Sequence, residues 1–194
     1  MSLLSPGRNL VLVGLMGSGK STVGEILAEQ LNRPFVDTDA RIEAAAGRSI
    51  TELFRVEGER RFRMLEAEEI RRVAALRGQV VAVGGGAVVE PANATQLRAT
   101  GDLVLLDADP RELAARLEEA AVIAGVGAER PLLAGAPDPA ARLAELRALR
   151  DAAYVGSASH VVDTTGLEPA AVARAVLRWA IHVPGLLTPE EVRV

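Results

Sequence analysis

Cysteine is absent from the 194-residue chain. Disulfide bonds and zinc–thiolate sites are therefore excluded, and nothing in the composition points to an oxidising compartment. Aromatic residues are scarce as well, at 3% against 49% hydrophobic residues. We expect a core built from leucine, valine, isoleucine and alanine, large enough for one domain.

Long apolar runs and blocks of positive charge are also missing. No uncharged apolar run approaches the ~20 residues that span a bilayer. The N-terminal residues lack the charged start and apolar stretch of a signal peptide. The net charge is −4, which does not indicate extended binding to nucleic acid. We expect a cytoplasmic protein that binds neither nucleic acid nor membrane.

Lysine occurs once, at Lys20, although the chain has 22 basic residues. It lies in the stretch 14–21, Gly-Leu-Met-Gly-Ser-Gly-Lys-Ser, between an apolar run at 10–13 and an amphipathic pattern at 22–31. This spacing and context are the signature of a P-loop. Its glycines let successive N–H groups face a phosphate at a helix N-terminus, where Lys20 reaches the β- and γ-phosphates and Ser21 binds Mg²⁺. The stretch predicts an ATP site.

Five short apolar runs alternate with helical patterns along the chain. The predicted strands are 10–13, 34–37, 79–83, 103–106 and 160–163. The predicted helices are 22–31, 40–47, 49–54, 57–76, 91–99, one starting at Asp109-Pro110, 138–154 and 168–182. This alternation predicts a parallel sheet covered on both faces, with ligands at the carboxyl ends of its strands. Residues 121–139 are predicted to form a mobile loop, and the tail from Pro184 to be partly disordered.

Two carboxylates follow the second predicted strand in Asp37-Thr38-Asp39. One can hold Mg²⁺ and the other can accept a proton from a substrate hydroxyl. The alternative is that Asp39 only caps the next helix.

Three further features allow a functional and a purely structural interpretation. Arg63, with Glu66 one turn later, can bind a carboxylate or belong to a solvated helix face. Gly84-Gly85-Gly86 after a buried strand indicates either close approach to a ligand or a tight turn. Arg130, in a loop rich in glycine and proline, can stabilise a transition state from a lid or be an exposed loop residue.

Together these motifs resemble the shikimate kinase family, within the P-loop group similar to nucleoside monophosphate kinases. The resemblance runs from about Leu10 to His182. The matching stretches are 14–22, Phe-Val-Asp-Thr-Asp at 35–39 with Ile42-Glu43, Gly-Arg-Ser-Ile at 47–50, Phe54 with Gly58-Glu59, Phe62-Arg63 with Glu66, Gly-Gly-Gly-Ala-Val at 84–88, Arg-Pro-Leu-Leu at 130–133, and Arg150 with Tyr154.

The resemblance implies roles for individual residues. Arg63 and Arg150 would bind the carboxylate of shikimate, while Asp39 and the amides of glycines 84–86 would bind its hydroxyls. Asp39 would also be the base for the 3-hydroxyl. Phosphate binding would fall to Gly17, Ser18, Gly19, Lys20, Ser21 and Thr22, with Ser21 and Asp37 on Mg²⁺. Lys20 and Arg130 would stabilise the transferring phosphoryl group, and Arg116 would lie along the adenine.

The resemblance also implies an architecture and an activity. We expect an α/β fold in three layers, α/β/α, with a five-stranded parallel sheet in the order 2-3-1-4-5. A single P-loop kinase domain would span 1–183, with a substrate-binding segment at about 38–66 and a lid at about 117–137; residues 184–194 would form a C-terminal tail. The enzyme would be a monomer that phosphorylates shikimate with ATP in the chorismate pathway of aromatic amino acid biosynthesis. The lid segment is longer than in the family.

Two alternatives remain at this point. A related kinase could act on gluconate or a nucleoside monophosphate, and assays of ADP release with different acceptors would separate these. A non-catalytic ATP-binding protein could keep the same fold, but it would not need Asp39, Arg63, glycines 84–86 and Arg150 together.

Overall fold

The computed structural model of this chain describes residues 7–124, 132–133 and 135–193. The strands are β1 (Asn9–Val13), β2 (Phe35–Asp37), β3 (Val80–Ala82), β4 (Gly101–Asp107) and β5 (His160–Asp163). The helices are α1 (Lys20–Leu31), α2 (Thr38–Ala46), α3 (Ile50–Ala74), α4 (Pro91–Thr100), α5 (Pro110–Ala124), α6 (Pro139–Ser157) and α7 (Pro169–Ala180). Short 3-10 helices span Ala87–Val89 and Glu191–Arg193.

All five strands are parallel, and they lie in the order β2-β3-β1-β4-β5. The predicted sheet and strand order are therefore confirmed. The central strand β1 is buried along its whole length, with Leu12 beside Ala82 of β3 and Val104 of β4. The P-loop follows this strand, so it opens at the middle of the sheet's carboxyl edge.

Alternate side chains of β1 supply two separate cores, because successive residues of a strand point to opposite faces. Leu10 and Leu12 belong to a cluster with side chains of α1 and α7. Val11 and Val13 belong to a second cluster with side chains of α3, α4, α5 and α6. The sheet is thus covered on both faces, which confirms the predicted three layers.

Residues 38–74 form a helical unit beside the carboxyl end of β2. Helix α2 begins at Thr38, two residues earlier than predicted, because the Asp37 side chain caps it. Helix α3 consists of two helical stretches separated by a kink at Gly58, whose φ of 80° and ψ of 166° are not helical. A break between two helices is therefore confirmed, but it lies at Gly58, inside the predicted helix 57–76, and not at the predicted boundary of 55–56. Ile42, Leu53 and Phe62 give the unit a small core of its own.

The segment predicted as a mobile loop begins later than expected. Helix α5 continues through Ala124, so the prediction of a loop from residue 121 is wrong for 121–124. Alanine has the highest helix propensity, and the alanines at 120, 121 and 124 therefore favour continuation of the helix. The glycines and prolines of the segment begin only after residue 124. Arg130 lies outside the described residues.

The tail is packed where it is described, so the prediction of partial disorder after Pro184 is wrong for this part. Leu186 is fully buried against the α1–α7 side of the sheet. The guanidinium of Arg33 donates to the Leu186 carbonyl at 2.7 Å and to Glu191 at 2.6 Å. A buried leucine and a buried ion pair hold the segment in place. In the described part of the chain, none of the helices has the length and apolar character needed to span a bilayer.

Candidate active site

The P-loop adopts the geometry of an anion-binding turn. Gly17 and Gly19 have φ of 81° and 85°, a region of backbone conformation that residues other than glycine rarely adopt. Gly14 is required for a different reason: a Cβ there would lie 2.3 Å from the Leu106 carbonyl oxygen. Lys20 starts α1, and its Nζ donates to the Leu15 carbonyl at 2.8 Å. The N-terminal amides of α1 therefore face the turn with the ammonium group beside them.

The two carboxylates after β2 have different partners. Asp37 Oδ1 accepts hydrogen bonds from the amides of Asp39 at 3.0 Å and Ala40 at 3.1 Å. Its Oδ2 accepts a hydrogen bond from the Ser21 hydroxyl at 2.6 Å. Asp37 is thus the helix cap, and Asp39 does not have that role. The residue between them, Thr38, is buried and accepts a hydrogen bond from the Gly84 amide at 3.2 Å.

Asp39 is a carboxyl group with an unusual environment. Its Oδ1 is buried and has no hydrogen-bond partner among the described residues. Burial, followed by repulsion from Asp37 and Glu66, raises the pKa of Asp39 to about 6, although Lys20 opposes the shift. A carboxylate with this pKa is ionised at neutral pH yet basic enough to accept a proton.

A cavity of about 430 Å³ opens beside Asp39 on the α2–α3 side. Its lining includes carboxylates, two guanidinium groups and backbone: Asp37, Asp39, Arg63, Glu66, Gly84, Gly85, Gly86 and Arg150. We call it the acceptor cavity. It brings together all the residues predicted to bind shikimate.

Arg63 is held over this cavity by two glutamates on its own helix. It donates to Glu66 Oε2 at 2.9 Å and to Glu59 Oε1 at 3.0 Å. Glu66 is 1% exposed, and burial raises its pKa despite the neighbouring Arg63. Its second oxygen, Oε1, is buried without a partner among the described residues. Arg63 therefore lines the cavity and is held there by two ion pairs. This excludes the interpretation that Arg63 only belongs to a solvated face of the helix.

The three glycines form the wall opposite α2 and α3. A Cβ at Gly84 would lie 2.7 Å from Asp39 Oδ1 and 2.8 Å from Glu66 Oε1, and one at Gly86 would lie 2.5 Å from Arg63 Nη1. Glycine is thus needed at 84 and 86 because the side chains of Asp39, Glu66 and Arg63 approach the backbone closely. Gly86 also caps the 3-10 turn that follows, so the tight turn is confirmed, while close approach of these glycines to a ligand stays a prediction.

Arg150, on α6, reaches the same wall from the other side. Arg150 is 8% exposed, and its Nη1 donates to the Gly85 carbonyl at 2.9 Å. It makes no ion pair with any acidic residue in the described ranges. A largely buried guanidinium whose nearest partner is a neutral carbonyl can still take an anion from a ligand.

A second cavity, of about 650 Å³, lies over the P-loop. We call it the donor cavity. Residues 16–23 form its floor, and Arg116 borders it from α5. Arg116 is itself held by Glu112 and by Thr164, whose carbonyl it contacts at 2.7 Å. Glu112 also accepts from the Gly166 amide at 2.9 Å, which ties the loop after β5 to α5.

The two cavities meet at a few shared residues, namely Met16, Ser21, Asp37, Asp39 and Gly85. A group bound over the P-loop and a molecule in the acceptor cavity would therefore face each other across the two carboxylates. This junction is where a transferred group would pass.

Sequence reasoning did not assign roles to several residues of the site. Thr38, Glu112 and Tyr154 each make a hydrogen bond that orders a cavity wall. Thr38 had a visible signal, since it stands between the two functional aspartates. Glu112 had one as well, since Arg116 follows it at the i,i+4 spacing of a helix, whereas Tyr154 had none by spacing, because its partner Gly85 lies 69 residues away.

The fold and the two adjoining cavities define a P-loop kinase with separate sites for the phosphoryl donor and the acceptor. The chain belongs to the shikimate kinase family, whose model matches residues 16–180. A shikimate kinase of Symbiobacterium thermophilum is 51% identical over 154 residues, which are 79% of this chain and 84% of that protein. One of Geobacter sulfurreducens is 46% identical over 166 residues, 86% and 87% of the two chains.

Solved structures agree with this assignment. The shikimate kinase of Acinetobacter baumannii, solved in complex with shikimate, superposes with a TM-score of 0.80 at 32% sequence identity. The match covers 89% of this chain and 92% of that one. Membership confirms the family resemblance and makes this chain an ATP-dependent kinase.

Proposed function

We propose that this chain transfers the γ-phosphoryl group of ATP to the 3-hydroxyl of shikimate, giving 3-phosphoshikimate and ADP. The observation that carries the proposal is the junction of the donor and acceptor cavities at Asp37 and Asp39. The family supports the choice of acceptor, since the Acinetobacter baumannii relative was solved with shikimate bound.

The charges of the acceptor cavity suit a polyhydroxylated carboxylic acid. Arg63 and Arg150 would bind the substrate carboxylate, because a guanidinium can donate two parallel hydrogen bonds to one. Arg150 makes no direct ion pair with a described carboxylate, although Glu66 lies near enough to attract it, so its guanidinium can pair directly with the substrate. Asp39 and the amides of Gly85 and Gly86 would bind the hydroxyls, whereas the Gly84 amide already donates to Thr38.

On the donor side, residues Gly17, Ser18, Gly19, Lys20, Ser21 and Thr22 would bind the phosphates of ATP. Lys20 would neutralise charge on the transferring group, and Arg116 would lie along the adenine. Arg130 is proposed to add a second cation there, a role that falls outside the described residues. Catalysis of this type works mainly by positioning and by stabilisation of charge.

Mg²⁺ fits the oxygen donors at the junction. The Ser21 hydroxyl and Asp37 Oδ2 lie 2.6 Å apart, and both are the hard oxygen ligands that Mg²⁺ prefers. No group of three or more acidic, histidine or cysteine side chains suited to a metal occurs within the described ranges. Two protein oxygens suit an ion that keeps much of its water and also binds substrate phosphates. When bound, it would neutralise phosphate charge in the transition state.

Asp39 is proposed as the base. With a pKa of about 6, roughly 90% of the carboxyl groups are ionised at pH 7. Asp39 lines both cavities, so its carboxylate can accept the proton of the 3-hydroxyl as the oxygen–phosphorus bond forms. Phosphorylation of the hydroxyl and loss of its proton would then occur beside the same carboxylate.

The test is ADP release with and without shikimate, in the wild type and in two variants. Asp39→Asn and Arg63→Ala should each lower turnover by about 10²-fold or more while ATP binding persists. Arg61→Ala is a matched control, because this half-exposed arginine lies on the same helix and pairs only with Glu57 among the described acidic residues. Near-normal turnover in either site variant would overturn the residue assignment, and a stronger response to gluconate than to shikimate would overturn the acceptor.

A further inference from the structure

Tyr154 is the single tyrosine of the chain and one of its most buried side chains. It lies on α6, one turn after Arg150, and its hydroxyl donates to the carbonyl oxygen of Gly85. Arg150 Nη1 donates to the same oxygen. Both acceptor positions of this carbonyl are therefore filled from one helix.

The Gly85 carbonyl is well placed to influence substrate binding. Gly85 borders both cavities, at their junction. Its carbonyl shares a rigid peptide plane with the amide of Gly86, which borders the acceptor cavity. A donor that fixes the carbonyl thus also fixes the direction of an amide proposed to bind shikimate.

The tyrosine itself is held in place from its other side. The guanidinium of Arg147 lies over the ring at 5.7 Å from its centroid and also donates to Asp107, at the carboxyl end of β4, at 2.8 Å. Neither of these contacts involves a group that is proposed to touch substrate. These contacts restrain the ring independently of Arg150, which itself also interacts with the phenol.

We propose that Tyr154 is a positioning residue for shikimate binding: it keeps the Gly85 carbonyl satisfied and oriented when Arg150 engages the substrate. This rests on the proposed function, in which Arg150 binds the substrate carboxylate. When the guanidinium turns to that carboxylate, its hydrogen bond to Gly85 weakens. In the wild type the Tyr154 hydroxyl still donates to the Gly85 carbonyl after shikimate has bound. In a protein without this hydroxyl, Arg150 serves the carbonyl in the free state, but the carbonyl has no donor once shikimate is bound.

This asymmetry predicts a selective effect of Tyr154→Phe, which removes the hydroxyl and keeps the ring. We expect shikimate affinity, measured by calorimetry, to fall roughly three- to tenfold, since one net hydrogen bond is lost on binding. The affinity for a non-hydrolysable ATP analogue should change by less than twofold. The unfolding temperature should fall by about 4 °C or less, because Arg150 still serves the carbonyl in the free protein.

Ser157→Ala is the matched control. Ser157 is buried on the same helix and donates to the backbone carbonyl of Tyr154 at 3.2 Å, without touching either cavity. It should leave both affinities unchanged. Shikimate affinity within twofold of the wild type in Tyr154→Phe, or equal losses for shikimate and the nucleotide, would overturn the proposal.

A second measurement needs no substitution. Incorporation of 3-fluorotyrosine labels Tyr154 alone, and its fluorine resonance should shift when shikimate saturates the protein. A resonance that stays within its linewidth would overturn the positioning role. Failure of the unsubstituted protein to bind shikimate at all would instead overturn the proposed function, so the two failures are distinguishable.

Discussion

Replacement of Gly84 by alanine should damage the acceptor cavity more than the donor cavity, which Gly84 does not line. The added Cβ would lie 2.7 Å from Asp39 Oδ1 and 2.8 Å from Glu66 Oε1, so each oxygen must retreat by roughly 0.6 Å to reach ordinary contact. Both oxygens are buried among packed groups, and overpacking of this kind costs about 1–3 kcal/mol. Displacement of a catalytic group by up to ~1 Å can lower the rate by as much as 10²-fold.

The assay is steady-state ADP release with each substrate varied in turn, together with thermal unfolding. We expect kcat/KM for shikimate to fall by about tenfold or more, the KM for ATP to stay within about twofold, and the unfolding temperature to drop by about 2–12 °C. Gly156→Ala is the control, because a Cβ there meets nothing within 4 Å and the residue lies in helix α6. Wild-type kcat/KM for shikimate in Gly84→Ala would refute the assigned positions of Asp39 and Glu66.

Two further predictions concern pH and the tail. Because the pKa of Asp39 is about 6 and its ionised form is the proposed base, kcat/KM for shikimate should be level above that pH and fall about tenfold per unit below it. A pH–rate profile with its acid limb near 4 would contradict this. Arg33→Met should lower the free energy of unfolding by about 3 kcal/mol, because it breaks a buried ion pair with Glu191 and leaves carbonyls unpaired. Chemical denaturation measures this, and an unchanged midpoint or an altered KM for either substrate would contradict a purely structural role.

The donor half of the site could be predicted from the sequence because its signal is local. Eight consecutive residues, 14–21, determine the turn, and their conformation depends on glycines at positions that the motif itself specifies. The same locality explains why the strand before the turn and the helix after it were predicted closely. The order of the strands, by contrast, came only from the family resemblance, since no short-range pattern contains it.

The acceptor half depends on groups that are distant in sequence. Arg63, Gly86 and Arg150 meet at one cavity only through the fold, and the sequence offered each of them an equally ordinary role. The sequence also could not indicate which charged side chains of the site are buried. Glu66, for example, looks like one of many helix glutamates, yet it is 1% exposed. Likewise, the pairing of Arg33 with Glu191 spans 158 residues, which is why the tail could not be predicted to pack.

The sequence Asp37-Thr38-Asp39 shows how one short turn connects both cavities. The three residues stand at the start of α2, where successive side chains diverge by about 100° around the helix axis. Asp37 caps the helix and contacts Ser21 on the donor side, whereas Thr38 binds the amide of Gly84. Because these two satisfy the structural needs of the turn, the Asp39 carboxylate is left to line the junction of the two cavities, with one oxygen buried and unpartnered beside Gly84 among the described residues.

The same geometry explains why the spacing between the aspartates matters. A shift of Asp39 by one position would rotate its side chain by about 100° and remove it from the junction of the cavities. A different side chain would then lie beside Gly84, in the space that the absence of a Gly84 side chain now leaves for Asp39 Oδ1. The cap at Asp37 and the missing side chain at Gly84 are therefore two parts of one arrangement that places the Asp39 carboxylate at the junction of the two cavities.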